Sequence, residues 1–248
     1  MALRIGCDLD GVLADMDAAL LRQAEALFGE AVARGLQEST GSQAAAGEAA
    51  EPAAGASEPA QENATPLIKL QMSPRQQRRL WKHIETVDNF WEGLAELEPG
   101  VLGRLASIAA ERRWEIIFLT RRPESAGATA QVQTQRWLQS KGFTLPSVFV
   151  VQGSRGRIAA ALDLDVVIDD RPENCLDVVV DSKARALLVW REDANQLPAA
   201  ARRLGIGVVK SVSECLDILT QLDIAGKDVP GVMARVRKLL GLREPARA

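Results

Sequence analysis

The chain has 248 residues, of which 47% are hydrophobic and 25% charged, and its formal net charge at pH 7 is −3. This length allows one large domain with a substantial core, or one domain and a small accessory part. The mildly acidic balance does not fit the charge pattern of proteins that bind long nucleic acid.

Neither the cysteines nor the apolar runs indicate an exported or membrane protein. Cys7, Cys175 and Cys215 are widely spaced and form no C-x-x-C pair, so we expect reduced, mostly buried thiols. The N-terminal sequence MALRIGCDLDG becomes charged too early for a secretory signal, and no apolar run approaches the length that spans a bilayer. We therefore expect a cytoplasmic protein without membrane contact.

The first third of the chain predicts one strand and two helices. The strand covers residues 3–7, and helical spacing of apolar residues follows over 15–35 and 73–85. Between the helices, residues 37–66 contain no Val, Ile, Leu, Phe, Met, Trp, Lys or Arg. Such a segment buries too little apolar surface to offset its ordering entropy, so we expect a disordered insertion.

The rest of the chain alternates short apolar strands with amphipathic helices. The predicted strands cover residues 115–119, 147–151, 166–168, 186–189 and 207–209. This alternation predicts a parallel sheet covered by helices on both faces, a three-layer Rossmann-like α/β fold. The last stretch, within residues 229–248, has the pattern of a basic amphipathic helix that packs on the domain.

Polar residues follow three of these strands directly. Asp8 and Asp10 end the first strand, Thr120 and Arg121 end the second, and Asp169 with Asp170 ends the fourth. Ligands of parallel α/β sheets bind at the carboxyl ends of the strands. If these strands are neighbours, crowded carboxylates without nearby His or Cys favour a Mg²⁺ ion.

The local spacing supports a shared site after the first strand. Asp8 and Asp10 have the i, i+2 relation that sends two side chains of an extended segment to the same side. Gly11 allows a sharp exit from the strand. Asp15 and Asp17 could add charge to the site, but the first turn of the next helix suits them better.

Three sequences, DLDGVLAD, IIFLTRRP and VVIDDRPENC, each behind an apolar strand, resemble motifs I, II and IV of the haloacid dehalogenase (HAD) superfamily of Mg²⁺-dependent phosphotransferases. The start DGVLAD, the lead-in FWEGLAELEPG and the ending IDDRP are similar to the 5'(3')-deoxyribonucleotidase branch and its bacterial relatives. The resemblance covers nearly the whole chain apart from residues 37–66.

The resemblance implies a phosphomonoesterase with an aspartyl-phosphate intermediate. Asp8 would be the nucleophile, and Asp10 the general acid and base. Asp8, the backbone carbonyl of Asp10 and Asp169 would hold Mg²⁺, with Asp170 orienting a metal-bound water. Thr120 would bind phosphoryl oxygens.

The resemblance also implies a lysine shortly before the fourth strand, but QGSRGRIAAALDLDVVIDD contains none. Arg157 is the first candidate for this role and Arg155 the second. Arg121 and Arg122 could contact a second anionic group or face water.

The implied domains are a discontinuous core, residues 1–15 and 95–228, and a helical cap, residues 16–94, with residues 229–248 as C-terminal helix and tail. Phe28, Trp81, Phe90 and Trp91 could stack on a nucleobase, with Phe90 and Trp91 as the first candidates, although an ordinary core role also fits each of them. The predicted partner is a small phosphorylated metabolite, a (deoxy)nucleoside 5'-monophosphate first. A sugar-phosphate or phosphoglycolate-type phosphatase, a weakly catalytic binding protein and a homodimer remain open.

Overall fold

The computed structural model describes residues 3–29 and 72–228. The predicted disordered insertion, residues 37–66, and the predicted C-terminal helix and tail, residues 229–248, lie outside this part of the chain. The proposed division into core and cap stays a prediction.

A parallel sheet forms the centre of the described structure, as predicted. Its six strands lie in the order β3-β2-β1-β4-β5-β6, and every neighbouring pair is parallel. The strands are β1 (Arg4–Asp8), β2 (Glu115–Thr120), β3 (Ser147–Val150), β4 (Val166–Asp169), β5 (Arg185–Val189) and β6 (Gly207–Val209).

Helices cover both faces of this sheet, so the predicted three-layer α/β class is confirmed. The described α-helices are α1 (Met16–Phe28), α2 (Pro74–Ile84), α3 (Val101–Arg112), α4 (Ala130–Ser140), α5 (Arg155–Ala161), α6 (Pro172–Asp181), α7 (Ala199–Arg203) and α8 (Val212–Asp228). Two short 3-10 helices cover Phe90–Gly93 and Ala194–Gln196.

Alternation along the strands separates the core into two layers. Cys7, Phe118 and Ile168 pack in one buried cluster with the side chains of α1, α2, α3, α4 and α8. Leu119 and Val167, which neighbour them in sequence, pack in the other cluster with α5, α6 and α7. Successive strand side chains point to opposite faces, and this period fixes which residues meet each helical layer.

Helices α1 and α2 form a small helical pair above the strand ends. Asp15 caps α1, because its Oδ1 accepts a hydrogen bond of 3.0 Å from Ala18 N, as the capping interpretation predicts. Helix α1 ends at Phe28, before Gly29 with φ +87°, although the sequence predicts a helix to residue 35. The pair is joined by a 3.0 Å contact between His83 Nε2 and Gln23 Oε1.

The loop after β1 is fixed by one arginine from beyond β5. Arg191 donates from Nη1 to Gly11 O (2.6 Å) and from Nη2 to Val12 O (3.2 Å). The same guanidinium is 2.8 Å from Glu98 Oε1. Glu98 in turn accepts hydrogen bonds from the first backbone N–H groups of α8. Burial acts to raise the pKa of Glu98, but these hydrogen bonds outweigh it, so the pKa is lowered. The loop that carries the first acidic motif is therefore tied to a helix terminus.

None of the helices within residues 3–29 and 72–228 is long and apolar enough to cross a membrane.

Candidate active site

Strand order brings the predicted acidic residues to one rim of the sheet. Cys7 lies opposite Ile168, so Asp8 and Asp169 follow at the adjacent carboxyl ends of β1 and β4. Asp8 also lies opposite Leu119 of β2, which places Thr120 one residue further along. The order of the strands reverses between β1 and β4, which is the place where open α/β sheets bind ligands.

Arg155 lies between the carboxylates of Asp8 and Asp169. Its Nη2 is 2.5 Å from Asp8 Oδ1, its Nε is 3.5 Å from Asp169 Oδ2, and the residue is only 2% exposed. Removing this guanidinium would leave two buried carboxylates without a compensating charge, a change that typically costs about 3–5 kcal/mol. The guanidinium is therefore the cation that allows two buried carboxylates to lie side by side.

Asp169 is held by two further donors. Asn174 Nδ2 lies 3.0 Å from both carboxylate oxygens, and Arg171 N donates to Oδ1 at 2.9 Å. Sequence reasoning missed Asn174. The signal that could have found it is its place in the first turn of α6, the helix that begins at Pro172, two residues after the acidic pair.

Burial and mutual repulsion govern protonation at this rim. Burial raises the pKa of Asp8 well above its usual value, and the charge of Asp169 raises it further against the opposing effect of Arg155. The pKa of Asp169 is also raised, because burial outweighs Arg155 and the Asn174 hydrogen bond. Burial acts to lower the pKa of Arg155, but the charges of Asp8 and Asp169 raise it, so the guanidinium stays a cation.

The general acid predicted at Asp10 is held by Arg122 and Thr120. Arg122 Nη2 is 2.7 Å from Asp10 Oδ1 and its Nε is 3.0 Å from Oδ2. The Thr120 hydroxyl donates to Oδ2 at 3.0 Å. The two arginines of the TRRP sequence are thereby distinguished. Both are among the residues that line the cleft, but Arg121 donates to Gly153 O at 3.2 Å, whereas the Arg122 side chain is buried against Asp10.

The structure reverses the order of the two arginine candidates. Arg157, the first candidate, is exposed and is not among the described residues that line the cleft. Helix α5 begins at Arg155, beside the strand ends, and Arg157 lies about 200° further round the helix. The position predicted for Arg157 is therefore occupied by Arg155.

Phe90 and Trp91 are core residues, which corrects the expectation that they stack on a base. Trp91 is 0% exposed, its Nε1 donates to Pro123 O at 2.9 Å, and the Phe90 ring meets it edge-on with centroids 4.8 Å apart. A ring enclosed on all sides offers no face to a ligand.

A cleft of about 560 Å³ opens in front of the acidic rim, within the range of small-molecule sites. Four of its lining residues come from the helical pair and its end, namely Met16, Asp17, Trp81 and Glu85, so Asp17 both lies in the first turn of α1 and reaches the cleft. The remaining lining residues include Asp8, Asp10, Thr120, Arg121, Pro123, Arg155, Asp170, Pro172, Trp190 and Pro198. Trp81 and Trp190, and not the first candidates Phe90 and Trp91, are the aromatic residues that line this space.

Gly11 is required by the close approach of Asp170. Its φ is +88°, and a Cβ there would lie 2.1 Å from Asp170 Oδ2. Any side chain would both strain the backbone and displace this carboxylate.

The donors at this rim fit Mg²⁺ in kind. Asp8, Asp169 and Asp170 supply carboxylate oxygens, and no His or Cys is among the described lining residues. In the described part of the chain, no group of three or more His, Cys, Asp or Glu side chains is arranged to hold a metal ion. Mg²⁺ usually keeps several waters and binds through one or two carboxylates together with substrate phosphate, so few protein ligands suffice.

Comparisons with known proteins give a fold-level similarity. No family model and no curated protein matches the sequence. Similar solved structures include a protein assigned as a beta-phosphoglucomutase from Thermotoga maritima, 18% identical over 88% of this chain and 99% of that one, with a TM-score of 0.49. A HAD family hydrolase from Deinococcus radiodurans R1, with bound phosphate and sodium, is 16% identical over 90% and 96% of the two chains, with a TM-score of 0.48.

A phosphonoacetaldehyde hydrolase-like protein from Oleispira antarctica is 16% identical over 97% of this chain and 94% of that one, with a TM-score of 0.43. One of these three names is that of a HAD family hydrolase, and none of the three is that of a nucleotidase. At identities of 16–18% and TM-scores of 0.43–0.49 the similarity does not establish an activity for this chain.

We predict that Asp8→Asn raises the melting temperature at neutral pH. Because the folded pKa of Asp8 is raised, the folded state loses stability as pH rises from the ordinary aspartate pKa of about 4 to the folded value. The neutral amide does not incur this loss. Thermal unfolding across pH should show a gain that is largest near neutrality and disappears in acid.

Asp163→Asn is the matched control, since Asp163 is exposed and has a φ of 50° that asparagine also tolerates. Its melting temperature should follow that of the wild type at every pH. A loss of stability in Asp8→Asn at neutral pH would contradict the charge balance described above.

Proposed function

We propose that the protein is a Mg²⁺-dependent phosphomonoesterase that acts through an aspartyl-phosphate on Asp8. The observation that carries this proposal is the placement of Asp8 beside Asp169 and Arg155, with Asp10 two residues away at the same cleft. A nucleophilic carboxylate, a second carboxylate for proton transfer and a fixed cation are the groups that two-step phosphoryl transfer needs.

In the first step a carboxylate oxygen of Asp8 attacks phosphorus, the bond from phosphorus to the ester oxygen breaks, and Asp10 gives that oxygen a proton. In the second step Asp10 takes a proton from water, the water oxygen attacks phosphorus, and the bond to Asp8 breaks to release phosphate. Each group returns to its starting state.

Arg155 has a donor suited to the phosphoryl group. Its Nη1 is buried and has no hydrogen-bond partner among the described residues, while Nη2 holds Asp8. A phosphoryl oxygen arriving beside Asp8 would provide the missing acceptor, and a fixed cation there stabilises the charge of the transition state. The Thr120 hydroxyl donates to Asp10 in this structure, and its contact with phosphate stays a prediction.

Asp8 and Asp169, with the backbone carbonyl of Asp10 and a water oriented by Asp170, are the groups that would hold Mg²⁺. When bound, this ion supplies positive charge that neutralises the phosphoryl oxygens. Arg155 already neutralises part of the negative charge of Asp8 and Asp169. A bound Mg²⁺ would neutralise the rest together with charge on the phosphoryl group.

For the leaving group, a nucleoside is the leading candidate. Trp81 and Trp190 line the cleft with Met16, and an indole ring can stack on any of the nucleobases. The exposed carboxylates Glu85 and Glu173 also reach the cleft and would accept hydrogen bonds from sugar hydroxyls. These acidic groups keep a sugar phosphate as the second candidate.

A Mg²⁺-containing screen of nucleotides, sugar phosphates and phosphoglycolate should show phosphate release by the wild type. Asp8→Asn should lower the rate by at least about a thousandfold, since it removes the nucleophile. Arg155→Met should lower it by about a hundredfold or more, because a fixed transition-state cation is lost. Arg157→Met, which changes an exposed arginine of the same helix, should keep a rate close to that of the wild type.

Two outcomes would contradict the proposal. Release of phosphate that survives Asp8→Asn would place the chemistry elsewhere. A thermal shift with phosphate esters, without turnover of any of them, would instead support the binding-protein alternative.

Trp81→Ala should raise KM for the preferred nucleotide. Loss of base stacking is worth about 1–3 kcal/mol, which corresponds to at least about a fivefold increase. KM for phosphoglycolate, which has no ring, should change little, and Trp81→Phe should restore most of the nucleotide affinity. Equal effects on both substrates would refute base recognition by this residue.

A further inference from the structure

We propose that Arg122 is a positioning residue that holds the Asp10 carboxylate in the orientation required for proton transfer. This inference rests on the proposed function. It assigns to the second arginine of the TRRP sequence a part in the reaction that does not involve contact with the substrate.

The contact between Arg122 and Asp10 fixes both carboxylate oxygens. Nη2 donates to Oδ1 at 2.7 Å, and Nε lies 3.1 Å from Oδ1 and 3.0 Å from Oδ2. The Thr120 hydroxyl adds a bond of 3.0 Å to Oδ2. A planar fork that meets a carboxylate at two points sets the plane of the carboxylate as well as its distance.

Arg122 is itself held by its other neighbours. Its Nη1 donates to Thr134 Oγ1 at 2.9 Å, and its Cζ lies 5.1 Å and 5.7 Å from the ring centroids of Trp91 and Trp137. Contacts of a guanidinium with two indole faces restrict the rotation of its plane. The buried Trp91 therefore has a function at the site, because it supports the arginine that supports Asp10.

Burial separates the roles of the two partners. The Arg122 side chain is 0% exposed, whereas that of Asp10 is 11% exposed. Although Arg122 is among the residues that line the cleft, its side chain has no exposed surface, so solvent reaches the Asp10 carboxylate and not the guanidinium behind it. The inference therefore assigns the effect of Arg122 on catalysis to its hold on Asp10 and not to contact with the substrate.

Proton transfer depends on this orientation more strongly than nucleophilic attack does. A general acid must lie within about 2.6–3.2 Å of the oxygen it protonates. An alkoxide leaving group needs that proton, whereas a weakly basic phenolate such as p-nitrophenolate departs without it. A displaced Asp10 should therefore slow the cleavage of alkyl esters far more than that of p-nitrophenyl phosphate.

The test compares kcat/KM for p-nitrophenyl phosphate with kcat/KM for an alkyl ester that the wild type hydrolyses. For each ester, kcat/KM reports the first step, in which the leaving group departs, and is independent of the later hydrolysis of the phosphoenzyme. The ratio of the two kcat/KM values therefore measures how strongly the first step depends on the leaving group. Arg122→Met should lower kcat/KM for the alkyl ester by about a hundredfold or more, the usual size of a general-acid contribution. The loss with p-nitrophenyl phosphate should be no more than about tenfold.

Two further variants keep the test informative if Arg122→Met does not fold. Arg122→Lys keeps the charge but loses the fork, and should recover part of the alkyl-ester rate. Thr134→Val removes the bond to Nη1, together with the bond of the same hydroxyl to Ala130 O within the helix, and should shift the ratio in the same direction by a smaller amount. Arg136→Met is the matched control. Arg136 is an exposed arginine on the same helix as Thr134 and is paired with Glu92, so this substitution should leave the ratio unchanged.

Equal losses on both esters in every variant that folds would overturn the inference and leave Arg122 a purely structural residue. If the wild type hydrolyses both esters, that result leaves the proposed function standing. If the wild type hydrolyses neither, the proposed function fails first, and the inference about Arg122 fails with it.

Discussion

Carboxylates that are buried together at one rim of a sheet repel one another, and the protein offsets this repulsion with arginines from other parts of the chain. Arg155 lies between Asp8 and Asp169, and Arg122 binds Asp10 from behind. A buried ion pair gives weak evidence for stability, since apolar residues of equal volume often stabilise a fold more. We propose that several such pairs are kept next to the cleft because their charges serve the chemistry there. The raised pKa of Asp8 is the residual cost of this arrangement.

Topology explains why these groups meet. Strands β1 and β4 are neighbours although many residues separate them in sequence, because the chain first builds one side of the sheet and then the other. Their carboxyl ends lie at the point where the strand order reverses, which is where open α/β sheets bind ligands. The loop after β1 then turns sharply at Gly11, against Asp170, and Arg191 fixes that turn to Glu98 and the start of α8. Elements far from the acidic rim thus determine its geometry.

The fold and the acidic rim could be predicted from the sequence because their signals are local. Apolar runs followed directly by Asp8, Thr120 and Asp169 mark strand ends, and parallel strands place such ends together. The arginine at the rim could not be assigned in this way, since Arg155 and Arg157 differ only in which side of one short helix they occupy. The ranking of the aromatic candidates was wrong for a related reason. The sequence does not distinguish Trp81 from Trp91, because only tertiary packing decides that Trp81 lines the cleft while Trp91 is buried. Contacts between residues far apart in the sequence, such as Asp10 with Arg122, produce no periodic pattern from which they could be predicted.

The proposal that Asp8 carries the phosphoryl group is tested most directly by trapping that state. The wild-type protein would be mixed with radiolabelled acetyl phosphate and Mg²⁺, quenched in acid and treated with hydroxylamine, with Asp8→Asn handled in parallel. We expect an acid-stable label that hydroxylamine releases, that maps to the peptide containing Asp8 and that is missing from the variant. Label of equal amount on Asp8→Asn, or turnover of a phosphate ester with the label on another residue, would contradict the account.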